Sequence, residues 1–329
     1  MNSEEHLLVT GGAGFIGSWF VKKILEKYPH IFITVIDSFT YAASIHRLNS
    51  VKKNALHLEI IKMDIRNYAH LEKIFKSGKF TRVIHFAAQT HVDRSIKEGL
   101  PFIETNIIGT WNLIELSRLY NIKQFIHIST DEVYGEIYQG YFKESDCLKP
   151  SSPYSASKAG ADLLISSFIR TYKFPVVILR PSNNYGPWQH PEKFIPTVIC
   201  NALLNNYIPV YGKGLNEREW LFVEDCVEGI LKVVESNVKG GIYNIGSGCT
   251  YKNIEVAKLI LDILNKPHSL IKFVEDRPGH DFRYALDSSK FIQEFKWSAN
   301  KDLNEGLKIT VKWFTENRWW WQPLLDVKQ

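Results

Sequence analysis

Two short stretches of this chain carry side chains that could move protons. The first is Ser129-Thr130-Asp131-Glu132, at the end of an apolar run over residues 124–129. Adjacent carboxyl groups are costly to bury when both are ionised, so their pKa values should be driven apart. One protonated and one ionised carboxyl is the arrangement that a general acid and a general base require. The same residues also read as a solvated helix start, with Thr130 or Asp131 as N-cap. The second stretch is Tyr154-Ser155-Ala156-Ser157-Lys158. Tyr154 and Lys158 are four apart, so on a helix they share a face. An ammonium beside a phenol favours the phenolate. A phenolate can take a proton from a hydroxyl while hydride leaves the same carbon. Tyr-x-x-x-Lys is common by chance and needs its context.

That context begins at the N-terminus. The strand-like residues 7–10 run into Gly11-Gly12-Ala13-Gly14-Phe15-Ile16-Gly17. Glycines at this spacing allow a tight turn and let backbone N–H groups approach a pyrophosphate, with Phe15 and Ile16 opening a helix whose positive end faces the same anion. A strand before and a helix after is the setting that makes such a pattern specific. Asp37 ends the next strand, twenty residues past Gly17. A carboxylate there accepts hydrogen bonds from ribose hydroxyls and repels a 2′-phosphate, which points to NAD rather than NADP. Ser38 and Thr40 are candidate helpers. Asp64-Ile65, ending the third strand, could edge the adenine, with a turn as the other reading of Asp64.

The elements that must position these residues alternate. Strand-like runs lie at 7–10, 32–37, 58–63, 82–86, 124–129 and 176–180, and helical patterns at 16–27, 68–76, 101–119 and 153–172. This is the signature of an α/β fold, a Rossmann-like doubly wound parallel sheet with helices on both faces. Past residue 181 loops, prolines and aromatics become frequent. Residues 1–181 are therefore read as a dinucleotide-binding domain and 182–329 as a smaller, mixed α/β substrate domain, with 219–245 returning to the first sheet. The consecutive Trp319-Trp320-Trp321 cannot share one helix face. They fit a tail packed on its own domain, or a contact with a partner.

Composition narrows the class. Of 329 residues, 45 % are hydrophobic and 23 % charged, which excludes a disordered chain. Forty Lys and Arg against 35 Asp and Glu leave a net charge of +5, too little to argue for nucleic acid. No apolar run approaches the roughly 20 residues that cross a bilayer, and the first residues lack the basic start and apolar core of a signal peptide. Cys147, Cys200, Cys226 and Cys249 have neither zinc-site nor redox-dithiol spacing. The expectation is a cytoplasmic protein with no metal, no disulfide and no membrane or nucleic-acid partner.

With these residues in view, the chain resembles the extended short-chain dehydrogenase/reductases, and among them the nucleotide-sugar 4,6-dehydratases of the dTDP-glucose type. The resemblance runs over nearly the whole chain, through residues 10–17, 86–96 (FAAQTHVDRSI), 128–135 (ISTDEVYG), 154–158, 183–187 (NNYGP), 191–196 (PEKFIP), 218–225 (REWLFVED), 243–246 (YNIG) and 276–281 (DRPGHD). The adjacent Asp-Glu after Thr130 is its most discriminating mark.

The resemblance implies that Tyr154 takes the proton from O4 of a hexose while C4 gives hydride to NAD. Glu132 then removes the C5 proton, Asp131 protonates the departing C6 hydroxyl, and the hydride returns to C6. Thr130 would bind the sugar near O4, and Lys158 would also hold the nicotinamide ribose. Ala87, Ala88, Thr105 and Asn184 match coenzyme-side positions. Thr90, Asn183, Lys193, Phe194, Tyr211, Arg218, Asn253, Arg277 and His280 match substrate positions. Arg218 and Arg277 could grip a diphosphate in bidentate fashion, with Lys193 adding a point charge. A homodimer through a four-helix bundle of 101–119 and 153–172 is also implied.

Gln89 and Glu219 depart from the usual Glu and Asp of the resembled enzymes, and the stretch between Glu132 and Tyr154 is shorter than in many of them. These residues do not separate dTDP-glucose from UDP-glucose or UDP-N-acetylglucosamine, or exclude an added 5-epimerisation. The rivals of another type are a nucleotide-sugar 4-epimerase or decarboxylase, which the Asp131-Glu132 pair opposes, and a non-catalytic NAD-binding sensor, which the intact proton-moving set opposes.

Overall fold

Strands that are apolar at every position must be covered on both faces, and here they are. The computed structural model describes residues 5–52, 57–236 and 238–326. Its strands are β1 (His6–Thr10), β2 (Phe32–Asp37), β3 (Leu58–Lys62), β4 (Arg82–His85), β5 (Gln124–Ile128), β6 (Val176–Pro181), β7 (Asn183–Tyr185), β8 (Ile208–Tyr211), β9 (Glu217–Phe222), β10 (Gly241–Ile245), β11 (Thr250–Lys252) and β12 (Ile271–Val274). Seven of them form one parallel sheet in the order β10-β6-β5-β4-β1-β2-β3. The strand order reverses at β1, so a crevice opens beyond the carboxyl ends of β1 and β4, where such sheets collect ligands. Successive side chains alternate between two cores: Leu7 and Val9 enter one and Leu8 the other.

The helices are α1 (Phe15–Lys27), α2 (His46–Lys52), α3 (Tyr68–Ser77), α4 (Val92–Lys97), α5 (Leu100–Ile103), α6 (Thr110–Leu119), α7 (Pro153–Tyr172), α8 (Phe194–Leu203), α9 (Val223–Glu235), α10 (Asn253–Ile263), α11 (Ser289–Phe295), α12 (Leu303–Glu316) and α13 (Arg318–Asp326). Helices α1 and α9 bury Phe20, Ile24, Val227 and Ile230 in the first core, and α3, α6 and α7 bury Phe75, Leu113 and Ile165 in the second. The architecture is the doubly wound α/β fold expected from the alternation. A second, mixed portion holds the sheets β11-β9-β7 and β12-β8, packed by α8, α10, α12 and α13 around Tyr185, Ile199, Phe222 and Phe314. After β9 the chain re-enters the large sheet, where β10 pairs with β6.

Three local differences from the sequence pattern matter for the site. The single helix expected over 101–119 is α5, a π-helical turn at Glu104–Gly109, then α6. The wide turn sets Asn106 to accept from the Gln89 N–H (2.8 Å) and to donate to the Gln89 carbonyl (3.0 Å) and Ser157 hydroxyl (2.8 Å). Helices α2 and α4, of 7 and 6 residues, are too short to show a helical period.

The tryptophan tail divides among three environments. Trp321 is fully buried and donates its indole N–H to the Phe314 carbonyl (2.7 Å), Trp320 is buried beside it, and Trp319 is 57 % exposed. Trp321→Ala should destabilise the fold by about 3–5 kcal/mol, the usual range for emptying a packed tryptophan site. Urea denaturation monitored by circular dichroism measures this, and a loss under 1 kcal/mol would contradict the packing described.

Candidate active site

The crevice is a cavity of about 530 Å³ running from the end of β3 past β1 to the end of β6. Its floor is the glycine loop. Gly11 has φ +72° and lies so close to β4 that a Cβ would stand 2.5 Å from the Ala87 nitrogen. A Cβ on Gly17 would collide with the Gly11 carbonyl. No side chain caps α1, whose N-cap is Gly14. Its first-turn N–H groups have no intrahelical acceptor and face the cavity with the positive end of the helix dipole.

Asp37 sits at the end of β2 and fastens this loop. Its Oδ2 accepts from the Ala13 N–H and its Oδ1 from the Phe39 N–H, both at 2.9 Å. Burial raises its pKa against these two bonds and the charge of Arg47. Each carboxylate oxygen keeps a lone pair for a ribose hydroxyl. Arg47, which no motif announces, also lines this end, but its Nη1 donates to the carbonyls of Ala13 (3.0 Å) and Ala42 (2.6 Å) and its Nη2 to that of Trp188 (2.7 Å). A guanidinium spent on carbonyls is poorly placed to neutralise a 2′-phosphate.

All sixteen positions expected on the coenzyme side line this one cavity: Gly11, Gly14, Phe15, Ile16, Gly17, Asp37, Ser38, Thr40, Asp64, Ile65, Ala87, Ala88, Thr105, Tyr154, Lys158 and Asn184. Asp64 borders the cavity and turns the chain through a 2.8 Å ion pair with Arg66. The π-helical turn brings in Thr105. In the same wall, Ser182 Oγ and Asn183 Oδ1 are buried without a partner among the described residues. A glycine cradle that no Cβ would fit, a carboxylate at ribose position and unspent polar atoms suit a dinucleotide.

At the far end, the chemistry depends on the close of β5. Thr130 is the N-cap of a 3₁₀ turn over Asp131–Tyr134, accepting from the Glu132 N–H (3.3 Å) and donating to Asp131 Oδ1 (3.1 Å). The N-cap reading is therefore correct, and it coexists with burial of Asp131 and partial burial of Glu132. Burial, with the charges of Glu132 and Glu219, drives the Asp131 pKa well above the ordinary range. Glu132 is raised less severely, because burial is opposed by Arg277, Arg218 and Lys193. Of the two, Asp131 is held more strongly toward its protonated form and Glu132 is the readier to ionise.

The tyrosine differs from expectation. Burial first, then the charge of Glu132, raises the Tyr154 pKa, with a hydrogen bond to Thr130 opposing. Lys158 does not offset this. Its Nζ donates to the Ile128 carbonyl (2.7 Å), and burial lowers its own pKa to about 8 against the pull of Asp162. The protein alone therefore keeps the phenol protonated, because desolvation outweighs a lysine that points at the strand end. Asp162 in turn accepts from Arg180 Nε (2.8 Å), whose Nη1 donates to the Tyr134 hydroxyl (2.7 Å).

Of the expected substrate positions, Thr90, Thr130, Asn183 and Lys193 line the cavity. The others sit in the mixed portion. Tyr211 and Arg277 both reach Asp93 on α4, at 3.2 and 3.3 Å, and His280 packs edge-on to Tyr211 while pairing with Asp276 at 2.6 Å. Arg218 does not present a free fork: its Nη1 and Nη2 donate to the carbonyls of Glu217 (2.8 Å), Phe282 (3.2 Å) and Asp281 (2.8 Å). Phe194 stacks on Trp220 with centroids 6.0 Å apart, and Asn253 Oδ1 is buried without a partner among the described residues. Glu192, beside Lys193, accepts from the Tyr41 hydroxyl (2.9 Å) and lies 3.4 Å from His91, tying three loops over the cavity.

A family model described as GDP-mannose 4,6 dehydratase matches residues 8–310. The dTDP-glucose 4,6-dehydratase of Neisseria meningitidis serogroup B is 43 % identical, over 97 % of this chain and 96 % of its own. The crystal structure of DesIV, the dTDP-glucose 4,6-dehydratase of Streptomyces venezuelae with NAD and TYD bound, superposes with a TM-score of 0.93 at 43 % identity, covering 97 % of this chain and 99 % of that one. The corresponding enzyme of Bacillus anthracis, in complex with NAD, gives a TM-score of 0.91 at 40 % identity with the same coverage.

The carboxyl pair predicts a pH signature. A carboxyl whose folded pKa lies above its unfolded value of about 3.9 adds no cost below that pH and destabilises the fold as pH rises toward the folded value. Asp131→Asn should therefore stabilise the protein at pH 7 by on the order of 1 kcal/mol or more and leave it unchanged near pH 4. Thermal melts of both proteins across that range check this, and a gain that is equal at both ends would remove the argument.

Proposed function

The chain belongs to the GDP-mannose 4,6-dehydratase family, within the extended short-chain dehydrogenase/reductases, and is a nucleotide-sugar 4,6-dehydratase; from that premise we propose that it converts dTDP-glucose to the 4-keto-6-deoxy sugar with resident NAD. The observation that carries this reading is the unequally titrating pair of buried Asp131 and half-buried Glu132 beside Tyr154. An epimerase needs no acid to expel a C6 hydroxyl.

The glycine loop and Asp37 would hold the pyrophosphate and adenosine ribose, and Lys158 the nicotinamide ribose. Bound there, NAD would supply a hydride acceptor for C4 of the sugar and the same hydride for C6. The work of the chain is proton transfer. Tyr154 accepts the O4 proton, and the positive charge of an oxidised nicotinamide held there would oppose the burial that raises the phenol's pKa. Once C4 is a ketone, the C5 proton is acidic, and Glu132, kept readier to ionise by three cations, removes it. Asp131, holding its proton in a buried site, gives it to the departing C6 hydroxyl. Thr130 steadies the O4 side. As hydride is added at C6, Glu132 or solvent returns a proton to C5, and the proton taken by Tyr154 passes through solvent to restore Asp131, so the net change is loss of one water. Lys193, Arg277 and Arg218 supply positive charge toward the diphosphate, Arg218 as a fixed charge.

Residues 1–181, with the returning β10, serve the coenzyme in this reading, and the remainder of 182–329 serves the nucleotide sugar. Among the described residues no helix is long and apolar enough to cross a membrane. The reaction is assigned to the cytoplasm because both reactants are charged molecules that do not cross lipid unaided. A homodimer is proposed from the apolar residues left uncovered on α5, α6 and α7: Leu100 and Leu163 are each 62 % exposed, with Ile103, Trp111 and Tyr172 beside them.

Mass spectrometry of product formed from dTDP-glucose in heavy water should show loss of one water and retention of one solvent deuterium. A product of unchanged mass would defeat the dehydratase assignment for this sugar. Glu132→Gln should lower kcat by roughly 10²–10⁴, the contribution typical of a general base, while the protein still carries NAD. Leu163→Glu should shift the protein from dimer to monomer in light scattering, and a wild-type monomer at working concentration would refute the dimer.

A further inference from the structure

The tryptophan tail has no part in the chemistry above, yet it reaches the coenzyme site. Trp320, on α13, lies under the guanidinium of Arg47, whose carbon is 5.3 Å from the ring centroid. Arg47 is buried, and the carboxylate acting on it is the more distant Asp37. Its charge is offset by Asp37, by carbonyl dipoles and by the indole face. The carbonyls are those of Ala13 in the glycine loop, Ala42 beyond β2, and Trp188. Trp188 is itself held in the left-handed region, with φ +71°, and its ring is packed among Trp313, Trp319 and Trp320. Ala13 completes the chain of contacts, since its N–H is the donor to Asp37 Oδ2.

We infer that α13 is a latch on the coenzyme: by seating Trp320 against Arg47 it positions the glycine loop and Asp37, and so sets how long NAD stays bound. The inference rests on the NAD reading above. The proposed reaction supplies a reason for such a device. Hydride taken from C4 must return from the same coenzyme molecule, so a coenzyme lost between the two transfers would strand the ketone. Trp320 and Arg47 are positioning residues, acting through the loop and not on the reacting atoms.

The test is NAD retention. The purified wild-type protein and the variants Trp320→Ala, Trp320→Phe and Arg47→Lys are loaded with NAD, diluted, and assayed for bound NAD per chain over time. Melting temperatures of the NAD-free proteins are measured alongside. Trp320→Ala should release NAD about tenfold faster or more, as loss of a desolvated cation–π contact implies. Its kcat at saturating NAD should stay within about twofold, with the loss in the KM for NAD. Trp320→Phe keeps a ring over Arg47 and should retain NAD nearly as wild type. Arg47→Lys replaces the spread, ring-stacked guanidinium fork by a single compact ammonium and should release NAD quickly. A folded Trp320→Ala protein with wild-type retention would overturn the latch. Should Trp320→Ala not fold, wild-type retention by Arg47→Lys would overturn it equally. A wild-type chain that takes up no NAD would overturn the coenzyme reading as well, whereas variants of unchanged retention on an NAD-binding parent overturn the latch alone.

Discussion

Two neighbouring carboxyl groups enclosed at the end of one strand set the conditions for the rest of the molecule. Left to themselves, buried Asp131 and half-buried Glu132 would both be driven toward the neutral form, and the site would lean to an acid without a base. What separates them is positive charge, and none of it comes from nearby in sequence. Lys193 opens α8, Arg218 lies on β9, and Arg277 follows β12. The mixed portion of the chain is therefore an electrostatic requirement of the large sheet. Lys193 is held by the Thr90 carbonyl, Arg218 by the carbonyls of Glu217, Phe282 and Asp281, and Arg277 by Asp93.

The same economy governs the lysine. A fully buried ammonium is costly, and Lys158 is accommodated by the Ile128 carbonyl and by Asp162 one turn further along α7. Asp162 is shared with Arg180, and Arg180 with Tyr134, so the polar interior behind Tyr154 is continuous from α7 to β6. Within that network the protonation of Tyr154 is decided by whatever charge enters the crevice, not by Lys158 alone.

Much of this was legible in the amino-acid order. Six strands, the glycine loop and Asp37 are local features, and local patterns of apolar period, glycine spacing and strand end suffice to place them. The coenzyme-side residues converge because each follows a strand of one sheet. Three features were not legible. The π-helical turn has no residue signature, since Asn106 acts through partners 17 and 51 positions away. Arg47 lies on a helix too short for a period, and its partners are backbone carbonyls that any residue could supply. The direction in which Lys158 points depends on the close of β5, which spacing along α7 cannot report.

The strand β10 has a consequence for how the molecule is made. It fills the edge beside β6 only after the chain has traversed β7, β8, β9 and α9, and it is then covered by α11, whose Phe291 and Phe295 meet Tyr243. Until then β6, which carries buried residues along its whole length, presents an open hydrogen-bonding edge. Such non-local closure slows folding and leaves a sticky edge on the nascent protein. The two portions are therefore not modules that could be separated at residue 181: a fragment ending there would contain the whole glycine loop and every proton-moving side chain, yet lack the strand that seals its sheet.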